Sequence, residues 1–173
     1  MIEPVSAADF TAAVGELTEA YRDSFSGPPW DETGPQAAAF AEGVPRWAAR
    51  EGFQAFWVRE DDAVIGFAFR VRTPEPVPGD GFYGLLRDRF GEHVDTLAGA
   101  VEVVELAVRP SARGRGLGRD LLHAVAGGER AWLVTRTDAD ATRAFYRRLG
   151  WRETAHSNGL ILFEQRPEQR SEP

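Results

Sequence analysis

Val101-Glu-Val-Val-Glu-Leu-Ala-Val108 followed by Arg109-Pro-Ser-Ala-Arg-Gly-Arg-Gly-Leu-Gly-Arg-Asp-Leu-Leu122 is the most informative stretch of this chain. A strand-like run meets a glycine- and arginine-rich turn, and the turn opens a helix. Gly114, Gly116 and Gly118 let the main chain approach a ligand closely and aim its N–H groups at an anion. The helix behind them adds unpaired N–H groups and the favourable end of its dipole. Arg113, Arg115 and Arg119 bring positive charge to the same spot. Such a backbone is suited to hold a phosphate.

The rest of the chain places this turn in an α/β protein. Phe10, Val14, Leu17 and Tyr21 recur at helical spacing and predict one amphipathic helix over about 8–22. Residues 24–33 read as a loop around Gly27-Pro28-Pro29, and 36–50 as a helix that Gly43 and Pro45 should break or kink. The β-rich runs 53–59 and 64–72, joined by Glu60-Asp-Asp-Ala63, predict a hairpin. Residues 73–80 are proline-rich and irregular, 82–90 a short helix, and 73–99 together an insertion between strands. After the strand 101–108 come a helix bearing Leu117, Leu121, Leu122 and Val125, a strand at 131–135, a helix at 138–149, and strands near 151–154 and 160–164. An antiparallel hairpin followed by alternating strands and helices indicates a mixed sheet covered by helices on both faces. The expectation is one domain over 1–165 with a disordered tail over 166–173.

Composition narrows the chemistry. There is no cysteine, so thiolate nucleophiles and cysteine metal sites are excluded. His93, His123 and His156 are scattered rather than paired at ligand spacing, and no metal is expected. All 20 basic residues are arginine, which removes Schiff-base chemistry and any P-loop lysine. The net charge of −7 disfavours nucleic acid as a partner. No apolar run approaches the roughly 20 residues that cross a bilayer, and Met1-Ile-Glu-Pro-Val lacks a secretion signal, so no membrane partner and a cytoplasmic location are expected.

Three phosphate-cradling designs compete for the turn. A P-loop needs Gly-Lys-Ser/Thr, and here the turn ends Gly118-Arg119-Asp120. The dinucleotide fingerprint needs G-x-G-x-x-G early in a doubly wound fold, whereas Gly114-Arg-Gly116-Leu-Gly118 has the wrong final spacing and lies in the second half of the chain. Arg113-Gly-Arg-Gly116-Leu-Gly118 is instead similar to the Gln/Arg-x-x-Gly-x-Gly/Ala motif of the GNAT family of N-acetyltransferases. Ala144-Phe-Tyr146-Arg-Arg-Leu-Gly150-Trp151 resembles that family's aromatic-Tyr-x-x-x-Gly-aromatic segment, at the expected distance and in the expected order of elements.

The resemblance implies a GNAT fold of about six to seven strands, splayed at its two central parallel strands, and acetyl-CoA as acyl donor. On that model the main chain of Leu106, Ala107 and Val108 meets the pantetheine and thioester. The segment Arg113, Gly114, Arg115, Gly116, Leu117, Gly118 and Arg119 holds the pyrophosphate, any of its arginines being available to the 3′-phosphate. Tyr146 matches the family's general-acid tyrosine. Phe145 and Leu149, four apart, form an apolar stripe that leaves Tyr146 to face elsewhere. Ala139 stands where many members carry an asparagine, so that asparagine's contact is absent or replaced. The strand 132–135 also lacks the glutamate of the ribosomal-protein-acetylating branch.

The base is open between Glu102, Glu105 and a water relay beside a structural carboxylate. Both glutamates interrupt an apolar strand, and burial would raise their pKa toward neutrality. Glu102 matches the base of the histone-acetylating branch; Glu105 lies nearer the expected thioester and is favoured. Three residues apart, they point to opposite faces of a regular strand. The acceptor-side elements of the family correspond here to Tyr21, Phe25, Trp30, Asp31, Glu32 and Tyr83, an aromatic and acidic set suited to a small-molecule amine. Dimers are common in such proteins, but no residue here marks an interface. Two function classes remain: an acetyl-CoA-dependent N-acetyltransferase, or a non-catalytic acyl-CoA-binding sensor of the same fold.

Overall fold

A computed structural model of the protein describes residues 1–167, and the disordered tail expected at the C-terminus lies, from residue 168 on, outside the described residues. Among the described residues seven strands form one mixed sheet in the order β1-β2-β3-β4-β5-β7-β6. They are β1 (Glu3–Val5), β2 (Gln54–Glu60), β3 (Ala63–Arg72), β4 (Val101–Val108), β5 (Ala131–Arg136), β6 (Arg152–Ser157) and β7 (Leu160–Gln165). The helices are α1 (Ala7–Ala12), α2 (Val14–Phe25), α3 (Gly34–Ala48), α4 (Gly81–Phe90), α5 (Leu117–Ala126) and α6 (Asp140–Arg148). The described residues form two compact units, one of residues 1–71 and 103–125, the other of 72–102 and 126–167.

In the first unit β1 pairs antiparallel with β2, and β2 with β3. The turn of this hairpin is made by Asp61 and Asp62, at φ 48° and 62°. Two consecutive left-handed residues match the right-handed twist of the strands, and aspartate tolerates that region better than most residues. The expected single helix over 8–22 is in fact two. Ser6 caps α1, its Oγ accepting from the Asp9 N–H at 3.0 Å. Ala13, at ψ 13°, leaves helical geometry before α2 begins. The apolar stripe survives the break: Phe10, Leu17 and Tyr21 lie in one core with Phe40, Phe67, Phe69 and Ala107, and Val14 packs on it.

Of the break or kink expected at Gly43 and Pro45, the break is absent, since α3 runs through both. A Cβ on Gly43 would lie 2.4 Å from the Trp47 ring, so this glycine seats that ring. Trp47 in turn packs against Phe40 and Phe69. Proline withdraws one N–H from the helical ladder, but the aromatic contacts on the same turn hold α3 to the core.

In the second unit β4 and β5 run parallel through Val101↔Ala131 and Glu102↔Trp132, while β7 pairs antiparallel with both β5 and β6. Residues 73–80 form no regular element, as the prolines require, and a 3-10 helix over Gly91–Leu97 follows α4. A core of Val77, Tyr83, Leu86, Phe90, Val94, Leu97, Trp132 and Leu162 joins this insertion to β5 and β7. Its tie to the strands is also polar: Trp132 Nε1 donates to Thr73 Oγ1 at 2.8 Å, with both residues buried. Among the described residues no helix is long and apolar enough to cross a membrane.

Candidate active site

The anion turn of the first unit is built as its glycines require. Gly114 and Gly116 sit at φ 76° and 79°, conformations that side chains rarely adopt, and nothing stands within 4 Å of where a Gly114 Cβ would be. The turn opens α5, whose first N–H groups have no partner inside the helix; Asp120 is the first to bond back, to the Gly116 carbonyl at 3.1 Å. A glycine-lined backbone opening a ten-residue helix, with the Arg119 guanidinium lying over Gly116, fits an anionic diphosphate group.

The three arginines of the turn differ. Arg113 is held by main-chain carbonyls, its Nε donating to Val108 (3.2 Å) and its NH2 to Ser24 (2.8 Å). It therefore anchors the turn to β4 and to the end of α2. Arg115 pairs with Glu60, and Arg119 with Asp120, both at the surface. Exposed pairs of this kind are weak and exchange readily for a phosphate.

Ahead of the turn, Arg109 N–H bonds Ile65 C=O at 2.9 Å, so alternation aims the main-chain groups of Leu106 and Val108 away from β3. Ala107 is buried, its carbonyl 3.2 Å from where a Gly66 Cβ would be. Glycine at 66 thus lets β3 approach β4 closely.

Glu105 lies among acidic and aromatic groups. Its Oε1 accepts from the Leu106 N–H at 3.3 Å, and among the described residues no arginine or histidine bonds it. Burial, with the negative charge of Glu32 adding to it, pushes its carboxyl up to about 8, against the partial relief of the Leu106 N–H. Tyr21 donates a short hydrogen bond to Glu32 Oε2. Burial, that bond and the charges of Glu105 and Glu32 push the Tyr21 phenol well above its ordinary range, so it stays a neutral donor.

The Tyr21 ring stacks on Phe40 and touches Phe25, and Phe25 meets Trp30 edge-on at 5.4 Å. The loop carrying them is closed by Glu32 N–H to Phe25 C=O (2.9 Å), with Asp31 exposed at φ 47°. Of the predicted acceptor residues, Tyr21, Phe25, Trp30 and Glu32 thus form one connected group, and Asp31 shapes its loop.

The other predicted residues belong to the second unit. Tyr83, on α4, donates to Glu102 Oε2 at 2.6 Å, and both are buried. Tyr146 is the buried residue of α6, contrary to the expectation that Phe145 and Leu149 would take the inward stripe; those two are only half-buried. The cause is an aromatic cluster, the Tyr146 ring lying 5.3 Å from Phe163 and 6.1 Å from Trp151. Ala139 is buried at the start of α6 and its carbonyl accepts from Arg143 N–H at 2.9 Å; its side chain has no polar group to offer. Among the described residues no group of three or more His, Asp or Glu could hold a metal ion.

Comparison with known proteins agrees with the resemblance. The family model described as an acetyltransferase (GNAT) domain matches residues 52–153. No curated protein matches the chain. Among solved structures, PH1933 from Pyrococcus horikoshii OT3 is similar with TM-score 0.66 at 17% identity, covering 96% of this chain and 98% of that one. The PaiA N-acetyltransferase of Thermoplasma acidophilum, solved in complex with coenzyme A, is similar with TM-score 0.62 at 14% identity, covering 96% and 99%. An aminoglycoside 6′-acetyltransferase of type Ii follows with TM-score 0.64 at 17% identity, covering 98% and 99%. At these identities the likeness is one of fold.

Proposed function

The chain belongs to the GNAT acetyltransferase family, and from that premise we propose that it transfers an acetyl group from acetyl-CoA to the primary amine of a small molecule. The observation that carries this reading is Glu105, a half-buried carboxylate near the charge of Glu32, with no arginine or histidine bonding it among the described residues and a pKa pushed up to about 8. A carboxyl held there takes a proton readily near neutral pH, which ordinary carboxylates do poorly.

The acyl donor supplies an activated thioester. Its pyrophosphate would be held by the N–H groups of Gly114 through Arg119, with Arg115 and Arg119 exchanging their surface carboxylates for phosphate oxygens. The strand groups of Leu106 and Val108 that face away from β3 would align the pantetheine arm, the Val108 carbonyl staying with Arg113. An ammonium has no lone pair, so the acceptor must lose a proton before it can attack. Glu105 takes that proton, Glu32 and the rings of Phe25 and Trp30 hold the cationic acceptor, and Tyr21 fixes Glu32 in place. Tyr146 gives a proton to the departing thiolate; a phenol with an ordinary pKa near 10 stays protonated at neutral pH. Glu102, bonded by Tyr83, is a structural carboxylate in this scheme.

The test is release of coenzyme A thiol from acetyl-CoA across a panel of primary amines, for the wild type and Glu105→Gln. The proposal expects at least one amine to support turnover that the variant loses. If no amine releases thiol while acetyl-CoA still raises the melting temperature, the chain is an acyl-CoA sensor and the transferase reading is wrong.

A further inference from the structure

Helix α2 ends on a residue that its own dipole disfavours. Asp23 lies in the last turn of α2, where the helix carbonyls already carry negative charge and a basic residue is the favourable choice. It is also exposed, so packing does not require it. What offsets it is Arg109, whose NH1 donates to Asp23 Oδ2 at 2.5 Å.

Arg109 is held ready for that contact. It follows the last residue of β4; its main-chain N–H bonds the Ile65 carbonyl at 2.9 Å and its Nε the Val64 carbonyl at 2.8 Å. Its side chain is only 19% exposed. A guanidinium already fixed at its Nε gives up little further freedom when it pairs, which separates this contact from an ordinary surface pair. Four residues on, Arg113 NH2 donates to the carbonyl of Ser24, the next residue of α2, at 2.8 Å. Two arginines just past the end of β4 thus hold adjacent residues in the last turn of α2.

These ties matter because of what the two elements carry. β4 carries Glu105, while α2 carries Phe25 and Tyr21, the donor to Glu32. The core that joins them meets the end of β4 through Ala107, a small side chain clustered with Leu17, Tyr21 and Phe40. One methyl group does little to stop a helix sliding along its axis. We propose that Asp23 and Arg109 are positioning residues for the acceptor: their ion pair fixes the last turn of α2 against β4 and so sets the spacing between Glu105 and the Tyr21–Glu32 pair. The inference rests on the acyl-transfer reading above. The pair acts through the elements it joins, not by contact with the amine. Proton removal needs the amine within hydrogen-bond reach of the base, so a displaced α2 would hold the amine without delivering it to Glu105.

The test compares the wild type with Asp23→Ala, Asp23→Asn, Arg109→Met and the double variant of Asp23→Ala with Arg109→Met. It reads kcat/KM for the best amine by thiol release and the Kd of acetyl-CoA by calorimetry. Asp23→Ala and Arg109→Met are each expected to lose about tenfold in kcat/KM, the effect of a small misplacement, with an unchanged Kd for acetyl-CoA. Asp23→Asn keeps an oxygen for Arg109 NH1 and recovers most of the loss. The double variant falls no further than Arg109→Met alone, since the two residues act as one contact. Arg109→Met also gives up the Val64 bond, and if it fails to fold the two Asp23 variants decide. An unchanged kcat/KM in Asp23→Ala overturns the inference. So do losses that add in the double variant, or an equal loss in the affinity for acetyl-CoA, the mark of a merely structural role. A wild type that releases no thiol with any amine while acetyl-CoA still binds overturns the acyl-transfer reading, and this inference with it.

Discussion

Two carboxylates three residues apart on β4 have opposite surroundings. Glu102 is buried and receives the phenol of Tyr83 at 2.6 Å. Glu105 has the Leu106 N–H at 3.3 Å and the negative charge of Glu32 nearby. A buried carboxylate bonded by a neutral donor is a tie between elements, here between α4 and β4. One placed beside a second acid without a cation is kept ready to bind a proton. On the proposed function, identical side chains on one strand would serve structure in one place and chemistry in the other, with neighbours deciding which.

The largest expected effect separates them directly. Glu105→Gln should lower turnover with the best amine by about 10²-fold or more, the usual contribution of a general base, while Glu102→Gln stays near the wild type in the same thiol-release assay. A reversed result would exchange their roles. Tyr146→Phe comes next, with a loss of about 10²-fold in kcat and an unchanged Kd for coenzyme A by calorimetry; loss of binding instead would make the ring a packing residue only.

Tyr83→Phe removes the donor to Glu102 and should cost about 1–3 kcal/mol of stability, seen as an early thermal melt, with turnover at a permissive temperature retained. Smaller still is Glu32→Gln. It removes a charge that raises the Glu105 pKa, so the acidic limb of the rate profile should move to lower pH; an unmoved limb would detach Glu32 from Glu105.

Stability should carry the same signature. The folded-state pKa of Glu105 lies above its ordinary 4.5, near 8, so the native state binds this proton more tightly than the unfolded chain does. Stability contributed by the protonated form is then complete below about 4.5 and is lost as pH rises through 8. Melting curves of Glu105→Gln should lack this decline, so the variant gains on the wild type at alkaline pH.

What was legible in the sequence was mostly local. The strand 101–108, the glycine turn and the hairpin at Asp61-Asp62 follow from residue type over a few positions, and the structure has them where periodicity and turn chemistry place them. The three-residue β1 was too short to leave a pattern, and Ala13 carries no residue signal for the break between α1 and α2. Gly43 and Pro45 read as breakers because the Trp47 ring that uses the glycine, and the Phe69 it reaches, are tertiary facts. At the candidate site, the residue types were readable but their partners were not. Arg113 bonds a carbonyl 89 positions away, Tyr83 a glutamate 19 away, and both contacts depend on the folded chain.

The pH dependence of kcat/KM, followed by thiol release for the wild type and Glu105→Gln, tests the central assignment most directly. The account predicts a wild-type rate that climbs with pH up to about 8, where Glu105 gives up its proton, and a variant that is slow with that limb gone. A variant that keeps both the wild-type rate and the limb would show that Glu105 is not the base.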